Sequence, residues 1–211
     1  MSETSDTQKL SRREREAAWR KQEIVEAASK LFVSRDYEET SLHDIAEASE
    51  FSVSTLYNFF ENKEDIYFAV IEAELADLNG LARDAMSQVV GPGEKLQAFA
   101  SAYFGYVLKK KEAVLKFWQE IGGFAWAVKE RLHKRLQESG MLPLALLVPV
   151  IDDAKASGVT RDIDATEQAI VFRLMCLSYL FMWFRSGEKT DLVSFAPVVV
   201  ERFLDGFGRR G

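Results

Sequence analysis

Long stretches without helix-breaking residues are the feature that most constrains the fold of this chain. Four prolines and 12 glycines occur in 211 residues, and the segments between them carry apolar residues at the three- and four-residue spacing of a helix face. An all-β fold would need many more turn residues than these. With 47% hydrophobic residues the chain can also bury a core. The sequence therefore predicts an all-α protein.

The first 88 residues predict four helices, at about 11–34, 41–49, 52–60 and 62–88. Each is preceded by a side chain that can accept a hydrogen bond from the first helical turn. Residues 41–44, Ser-Leu-His-Asp, are similar to a capping box with Asp in the usual place of Glu. Gly91, Pro92 and Gly93 end the fourth helix. The predicted capping residues are Ser11, Ser41, either Ser52 or Ser54, and Asn62.

The rest of the chain predicts six further helical segments. Residues 96–107 lie in one, a short helix runs through Leu115 and Trp118, and the others are at 124–138, a segment ending near 157, 164–185 and 191–207. Pro149 is expected to bend the segment that ends near residue 157. Residues 169–184 are apolar nearly all round, which a helix exposed on one side is not.

Segments 41–49 and 52–60 form two short helices joined by a tight turn, the arrangement of a helix-turn-helix. Periodicity alone also fits two helices that merely pack together, but the residue string is more specific. It reads Ile24-Val25-Glu26-Ala27-Ala28, Leu31-Phe32, Tyr37-Glu38-Glu39-Thr40-Ser41, Ile45-Ala46, Ser52-Val53-Ser54-Thr55-Leu56-Tyr57-Asn58-Phe59-Phe60 and Asn62-Lys63-Glu64. This string resembles the N-terminal signature of the TetR family of bacterial transcriptional regulators.

The resemblance implies a domain organisation. Residues 1–10 are expected to be a disordered tail, 11–66 a three-helix helix-turn-helix domain that binds DNA, and 67–211 a helical domain for ligand binding and dimerisation. The third helix would enter the major groove of double-stranded DNA, and a homodimer would read a palindromic operator. Helices 164–185 and 191–207 would hold that dimer together. A small-molecule effector would release the protein, acting as a repressor, from DNA.

Residue roles carried over from the resemblance place nine side chains at the DNA. Val53 could contact a thymine methyl group and Asn58 an adenine edge, whereas Tyr57 and Lys63 would contact phosphate. Tyr57 can equally pack in part on the core, and His43 either reads a base or is an ordinary exposed residue. The full set is Thr40, Ser41, His43, Val53, Ser54, Thr55, Tyr57, Asn58 and Lys63.

Three residues at two sites depart from the family pattern. Asp36 stands where the family usually has Gly, and Ser49-Glu50 stand where it usually has Ala-Gly. Glycine is favoured at the corner of the motif because the backbone there often needs a positive φ, which costs another residue roughly 1 kcal/mol. Asp tolerates that conformation better than Glu, so these changes affect corner geometry and DNA affinity.

The charge pattern argues against a general polyanion binder. The net charge is −6, and residues 36–66 hold nine Asp or Glu and one Lys. That balance is not typical of a DNA-binding domain. The basic residues between 12 and 21 alternate with Glu14 and Glu16, so they could attract phosphate or form a solvated helix face. The alternatives are therefore a helical protein-interaction module, or a regulator without a small-molecule effector.

The middle helices are rich in aromatic residues, which in this family would line the effector pocket and here would suit a hydrophobic or aromatic molecule. Aromatic residues at helical spacing can equally be core. Arg173, a charge within an apolar helix, either pairs with a carboxylate such as Glu120 or binds an anionic group of the ligand. The candidate pocket residues are Phe99, Tyr103, Phe104, Phe117, Trp118, Phe124, Phe172 and Arg173.

Other classes of function have little support in the residues. The single cysteine, Cys176, rules out an intrachain disulfide, and two histidines without a phosphate loop or metal-spaced ligands favour neither an enzyme nor a cofactor or metal site. The N-terminus lacks the apolar stretch of a secretory signal, and the apolar run 169–184 falls short of a membrane span. The expected compartment is the cytoplasm, with no membrane partner.

Overall fold

The computed structural model describes residues 11–123, 126–140 and 143–208, apart from the side chains of Trp118 and Ile121. Regular structure in these residues is helical, with one isolated β-bridge between Thr160 and Gly208. The all-α prediction is confirmed. The helices are α1 Arg12–Ser34, α2 Leu42–Ala48, α3 Val53–Tyr57, α4 Lys63–Ser87, α5 Pro92–Lys109, α6 Lys111–Gly123, α7 Trp126–Glu138, α8 Leu144–Ala156, α9 Ala165–Arg185 and α10 Phe195–Phe207.

Most predicted boundaries agree with the structure to within a few residues, because local capping chemistry sets them. Ser11 caps α1, and Asp164 caps α9 by accepting from the Glu167 N–H. Two predictions differ. Helix α3 ends at Tyr57 instead of continuing to residue 59 or 60, and the segment from 191 starts with a 3-10 turn, Leu192–Ser194, before α10. The predicted tail 1–10 and Phe124 lie outside the described residues.

The chain divides into two compact units after Ile71, five residues beyond the domain boundary expected from the sequence. Helix α4 contributes residues to both units. The first unit is built around fully buried Ile24, Phe32, Ile45 and Leu56. Burying each such side chain contributes about 1.5–3 kcal/mol, so α1, α2 and α3 are held together by this small core.

Aromatic rings also hold the first unit. The Phe32 and Tyr67 rings meet edge to face with centroids 5.0 Å apart, and Tyr37 packs on the same Tyr67 ring at 5.1 Å. Edge-to-face pairs are each stabilised by about 0.5–1.5 kcal/mol beyond their buried area. The loop after α1 is therefore fixed against the part of α4 that lies in this unit.

The second unit has its core between α5, α8, α9 and α10. Phe99, Phe104, Phe172 and Phe203 are fully buried there. The Phe172 ring contacts both Phe99, at 6.3 Å between centroids, and Phe203, at 5.2 Å. One face of α9 therefore packs inward over most of its length.

Polar contacts anchor the C-terminal part of α4 within the second unit. Arg135 of α7 donates two hydrogen bonds, of 2.8 and 2.7 Å, to the carboxylate of Glu72. Tyr106 of α5 donates to the carboxylate and the carbonyl of Glu74, and Lys110 donates to the same carboxylate at 3.2 Å. Bidentate and charge-assisted hydrogen bonds are stronger than neutral ones, so this part of α4 is tied to both α5 and α7.

Helix α9 differs from its neighbours in its exposed apolar side chains. Ile170, Leu174 and Phe181 follow one face at spacings of four and seven residues and are 38%, 44% and 57% exposed. The apolar run 169–184 was predicted to be too short to span a membrane. It is part of α9, a 21-residue helix that has the length and composition of a membrane span. A third of its most apolar stretch is nevertheless buried inside the protein.

Candidate functional site

Helices α2 and α3 form the predicted helix-turn-helix, and side-chain caps fix where each begins. The Ser41 hydroxyl accepts from the Asp44 N–H at 3.2 Å, and the Asp44 carboxylate accepts from the Ser41 N–H at 2.8 Å. This is the predicted capping box. Ser52, one of the two predicted candidates, caps α3 by accepting from the Thr55 N–H at 3.2 Å. The start of α3 is therefore set by its own sequence.

The turn between the two helices passes through Glu50, which has a φ of 58°. The Phe51 N–H donates to the Ala46 carbonyl at 3.0 Å, which closes the corner. Glutamate lacks the freedom that glycine has in this region, so the corner holds backbone strain. Asp36, the other departure from the family pattern, is not among the positive-φ residues of the described chain.

The predicted DNA-contacting residues lie in three different environments. Tyr57 is 58% exposed, which favours a surface role for its ring over core packing, whereas Leu56 and Phe60 beside it are buried. Val53, Thr55 and Lys63 are half-buried. The exposed members of the set are Ser41, His43, Ser54, Tyr57 and Asn58. These five side chains give the helix-turn-helix an outer surface rich in hydrogen-bonding groups.

Thr40 differs from the rest of the set because it is buried, with 1% exposure. Its hydroxyl donates to the Asp36 carbonyl at 3.1 Å, and its backbone N–H is bonded to the same carbonyl. Both donors are thus used inside the protein. The contact with DNA that the resemblance implied for the Thr40 side chain does not fit this placement, because the hydroxyl and the backbone N–H close the loop before α2.

Lys63, at the first position of α4, points toward the loop that follows α1. Its ammonium donates to the Tyr37 carbonyl at 2.7 Å and lies 4.2 Å from the centroid of the Tyr37 ring. An ammonium over an aromatic face is attracted by the ring quadrupole. Two of its three protons remain for other acceptors, so a phosphate contact by Lys63 would be made by an ammonium already fixed in place.

The acidic character of residues 36–66 has a structural origin. Asp44 serves the capping box, and Asn62 and Asp65 accept backbone N–H groups at the start of α4. Hydrogen bonds from Ser41 hold the pKa of the Asp44 carboxyl below its ordinary value of 3.8. Carboxylates at helix N-termini are stabilised by the helix dipole. Part of the negative charge therefore stabilises helix ends.

Some basic residues in the first half of α1 contact other side chains of the protein, and others are exposed. Arg20 pairs with Glu16 at 2.6 Å, as an alternating helix face predicts. Lys21 lies 5.5 Å from the centroid of the Phe60 ring. Arg12 and Arg13, closer to the N-terminal end of α1, are exposed.

The candidate pocket residues do not all lie in the same environment. Phe99, Phe104, Phe117 and Phe172 are buried, and three of them belong to the core cluster of the second unit. Tyr103 and Arg173 are half-buried at the margin of that cluster. Phe124 and the Trp118 side chain lie outside the described residues. An ion pair of Arg173 with Glu120, one of the two alternatives for this arginine, is not formed among the described residues, where the Glu120 carboxylate lies 3.7 Å from the Lys116 ammonium.

Comparison with known proteins decides the family. A family model described as bacterial regulatory proteins, tetR family, matches residues 24–70, which contain α1 from its midpoint, α2, α3 and the start of α4. Residues 24–70 are therefore a DNA-binding segment of the tetR-family type. The match covers the same string of residues that carried the resemblance in the sequence.

Two curated relatives extend the similarity over most of the chain. The regulator YhgD of Bacillus subtilis is 23% identical over 85% of this chain and 92% of its own. The repressor KstR2 of Rhodococcus jostii is 24% identical over 89% of this chain and 90% of its own. Both are helix-turn-helix transcriptional regulators, and this chain is likewise a DNA-binding transcriptional regulator.

Solved structures show the same fold outside the motif. The regulator FadR of Bacillus subtilis, crystallised with stearoyl-CoA, superposes with a TM-score of 0.73 at 18% identity, covering 88% of this chain and 98% of its own. The C-terminal helices therefore have the TetR-family arrangement as well, which their layout in the sequence predicted.

One feature of the TetR-type domain was not predicted. A surface cleft of about 470 Å³ lies between α1 and the turn after α2, beside Trp19, Glu23, Glu50 and Phe51. Trp19 and Phe51 meet edge to face at 6.2 Å, 32 positions apart in the sequence. No local pattern in the sequence predicts this cleft, because Trp19 lies before the family string and meets Phe51 only when α1 packs on the turn after α2.

Proposed function

We propose that this regulator is a homodimeric repressor that binds a palindromic operator through α3 and the residues around it. The observation that carries the proposal is the exposed surface of α3. Tyr57 is 58% exposed on a five-residue helix whose Leu56 is buried in the core, and Ser54 and the C-capping Asn58 are exposed beside it. Amide and hydroxyl groups on a rigid helix are what base edges and phosphates require.

Glu50 and Lys63 also contribute to the proposed DNA-binding surface, Glu50 through the corner geometry and Lys63 through its charge. The corner at Glu50 sets the angle at which α3 leaves α2. Lys63, fixed on Tyr37, keeps a positive charge at the N-terminus of α4, where backbone N–H groups also favour phosphate. Arg12 and Arg13, in the first turn of α1, add exposed positive charge that would attract the phosphate backbone of DNA.

The test is a fluorescence anisotropy titration of DNA that flanks the gene of this protein, at several salt concentrations. A regulator should bind one segment far more tightly than unrelated DNA, with log affinity falling linearly with log salt. A helical protein-interaction module would bind none of the segments specifically. Footprinting of the preferred segment should then show two half-sites separated by about one helical turn, roughly 34–36 Å.

The dimer is proposed to form through the exposed face of α9. Ile170, Leu174 and Phe181 form an apolar row on a helix whose opposite face is already in the core. A second copy could bury this row symmetrically, as in isologous dimers. A membrane is a poorer partner, because half-buried Arg173 and the core-packed face of α9 would have to remain with the rest of the protein. A cytoplasmic location accords with this proposal.

Release from DNA is proposed to follow binding of a hydrophobic or aromatic small molecule in the second unit. FadR of Bacillus subtilis was crystallised with stearoyl-CoA, an apolar chain on a large polar carrier. In this chain the aromatic residues Phe99, Phe104 and Phe172 are in mutual contact or in one cluster, so the effector would enter beside them and displace part of that packing. Effector and operator would then bind with opposing coupling.

The effector proposal is tested by thermal melting against a panel of hydrophobic compounds, paired with DNA release. A binder must raise the melting temperature through mass action and weaken DNA binding by the same factor in both directions. A panel in which no compound does both would contradict the sensing part of the proposal and leave the DNA-binding part intact.

A further inference from the structure

Arg173 is the only charged residue between positions 168 and 184, in the apolar stretch of α9. Its side chain is half-buried. A guanidinium taken partly out of water normally has a carboxylate partner, since the charge otherwise loses hydration without compensation. Within the described residues Arg173 forms no ion pair and no hydrogen bond, and Glu120 is paired with Lys116 instead. Within the described residues, the guanidinium charge is therefore available to a further group.

Tyr103 provides a second donor in the same region. Phe99, one turn before Tyr103 on α5, contacts Phe172, the neighbour of Arg173 on α9, with ring centroids 6.3 Å apart. This contact brings the two helices together at that level. The Tyr103 hydroxyl forms no hydrogen bond with any described residue. One phenol and one guanidinium are thus left with unused donors beside the same aromatic contact.

Two titratable groups, the Tyr103 phenol and the Cys176 thiol, interact electrostatically with Arg173. Burial raises the pKa of Tyr103, and the nearby charge of Arg173 opposes that shift. Burial likewise raises the pKa of the Cys176 thiol to about 12, again opposed by Arg173. Both groups stay protonated and neutral at physiological pH, so neither neutralises the guanidinium.

We infer that Arg173 and Tyr103 bind the anionic group of the effector, which is therefore an apolar molecule ending in a carboxylate. The guanidinium fork matches the two oxygens of a carboxylate, and the phenol can donate a third hydrogen bond. The apolar part would lie against the buried rings of Phe99 and Phe172. This inference rests on the proposed release by a small molecule and narrows the class of that molecule.

The experiment compares dodecanoic acid with dodecanol, both below the concentration at which they form micelles. Calorimetry gives the affinity of each probe, and anisotropy of labelled operator gives DNA release. The acid should bind the wild-type protein on the order of tenfold to a hundredfold more tightly than the alcohol, because only the acid makes charge-assisted hydrogen bonds. It should also release DNA at a correspondingly lower concentration.

Variants separate anion recognition from general packing. Arg173→Gln should bind the acid no better than the alcohol while its affinity for the alcohol stays unchanged, and Tyr103→Phe should lose part of the preference. Arg185→Gln, at the exposed end of the same helix, is the matched control and should keep the full preference. Melting and operator binding without a probe show that each variant is folded.

Three results would overturn the inference, and they point to different faults. Equal affinity of the wild-type protein for acid and alcohol contradicts anion recognition but leaves the hydrophobic effector intact. An undiminished acid preference in a folded Arg173→Gln protein removes Arg173 from the site. Failure of both probes to bind contradicts this inference, and the compound panel then decides whether the effector proposal fails with it.

Discussion

The ammonium of Lys63 donates to the carbonyl of Tyr37 at 2.7 Å and lies 4.2 Å from the centroid of its ring. The two residues are 26 positions apart, and their contact ties the first turn of α4 to the loop after α1. Lys63, which the family pattern predicts to contact phosphate, therefore also stabilises the packing of the first unit. Both functions must be considered when Lys63 is changed.

Replacing Lys63 with Ala should lower the affinity for specific and unrelated DNA by a similar factor, because a phosphate contact carries no base information. The slope of log affinity against log salt should shrink by about one unit. Loss of the Tyr37 contact should also destabilise the protein by about 1 kcal/mol. Anisotropy and urea unfolding measure the two effects separately.

Exposed Lys109 of α5 provides the control for that experiment. Lys109→Ala removes the same charge and should leave both the salt slope and the stability unchanged. An unaltered slope in Lys63→Ala would exclude Lys63 from the DNA interface while its structural role remained.

Replacing Glu50 with Gly should stabilise the fold by roughly 1 kcal/mol, since Gly adopts a φ of 58° without the penalty that Glu incurs. DNA binding should be equal or stronger, because a carboxylate near phosphates is removed. Glu50→Ala separates the two effects, as it removes the charge and keeps the strain. Abolished binding in Glu50→Gly would mean that the carboxylate itself is needed at the corner.

The Asp44 carboxylate should make stability depend on acid. Its hydrogen bonds with Ser41 hold the folded-state pKa below 3.8, so its stabilisation is present above that pH and is lost as the pH falls through the lower folded value. Urea unfolding of the wild-type protein and Asp44→Ala should therefore differ at pH 7 and converge in strong acid. Glu47→Ala, exposed on the same helix, should show no such convergence.

Reversing the character of the α9 row should dissociate the proposed dimer. The double change Leu174→Glu and Phe181→Glu places two charges on a face that a partner would desolvate, which costs several kcal/mol. Sedimentation should show a monomer with intact helical content. The control variant Gln137→Glu, at an exposed position of α7, should remain dimeric. A wild-type protein that sediments as a monomer at micromolar concentration would contradict the dimer directly.

Local chemistry explains which features could be predicted from the sequence. The Ser41–Asp44 box involves side chains three residues apart, so the string itself encodes it. The positive φ of Glu50 followed from the glycine that the family usually has there. Both are short-range properties that survive any arrangement of the rest of the chain.

Contacts between distant segments could not be predicted in this way. The Lys63–Tyr37 hydrogen bond and the Trp19–Phe51 ring contact depend on how helices pack, which periodicity does not specify. Thr40 was expected at the surface but is buried, because its hydroxyl completes the loop bond to Asp36. Of the two alternatives for Arg173, the pair with Glu120 is not formed among the described residues, where Lys116 lies 3.7 Å from Glu120 on the same helix.

The central claim is that α3 reads DNA sequence, and Asn58 tests it most directly. Asn58 is exposed at the end of α3, so Asn58→Ala should leave the fold intact. The measurement is the ratio of affinities for the preferred flanking segment and for unrelated DNA, at one fixed salt concentration. We predict that Asn58→Ala reduces this ratio by about tenfold or more, as loss of a base contact does, while the affinity for unrelated DNA is unchanged. An unchanged ratio in the variant, or no sequence preference in the wild-type protein, would contradict the account.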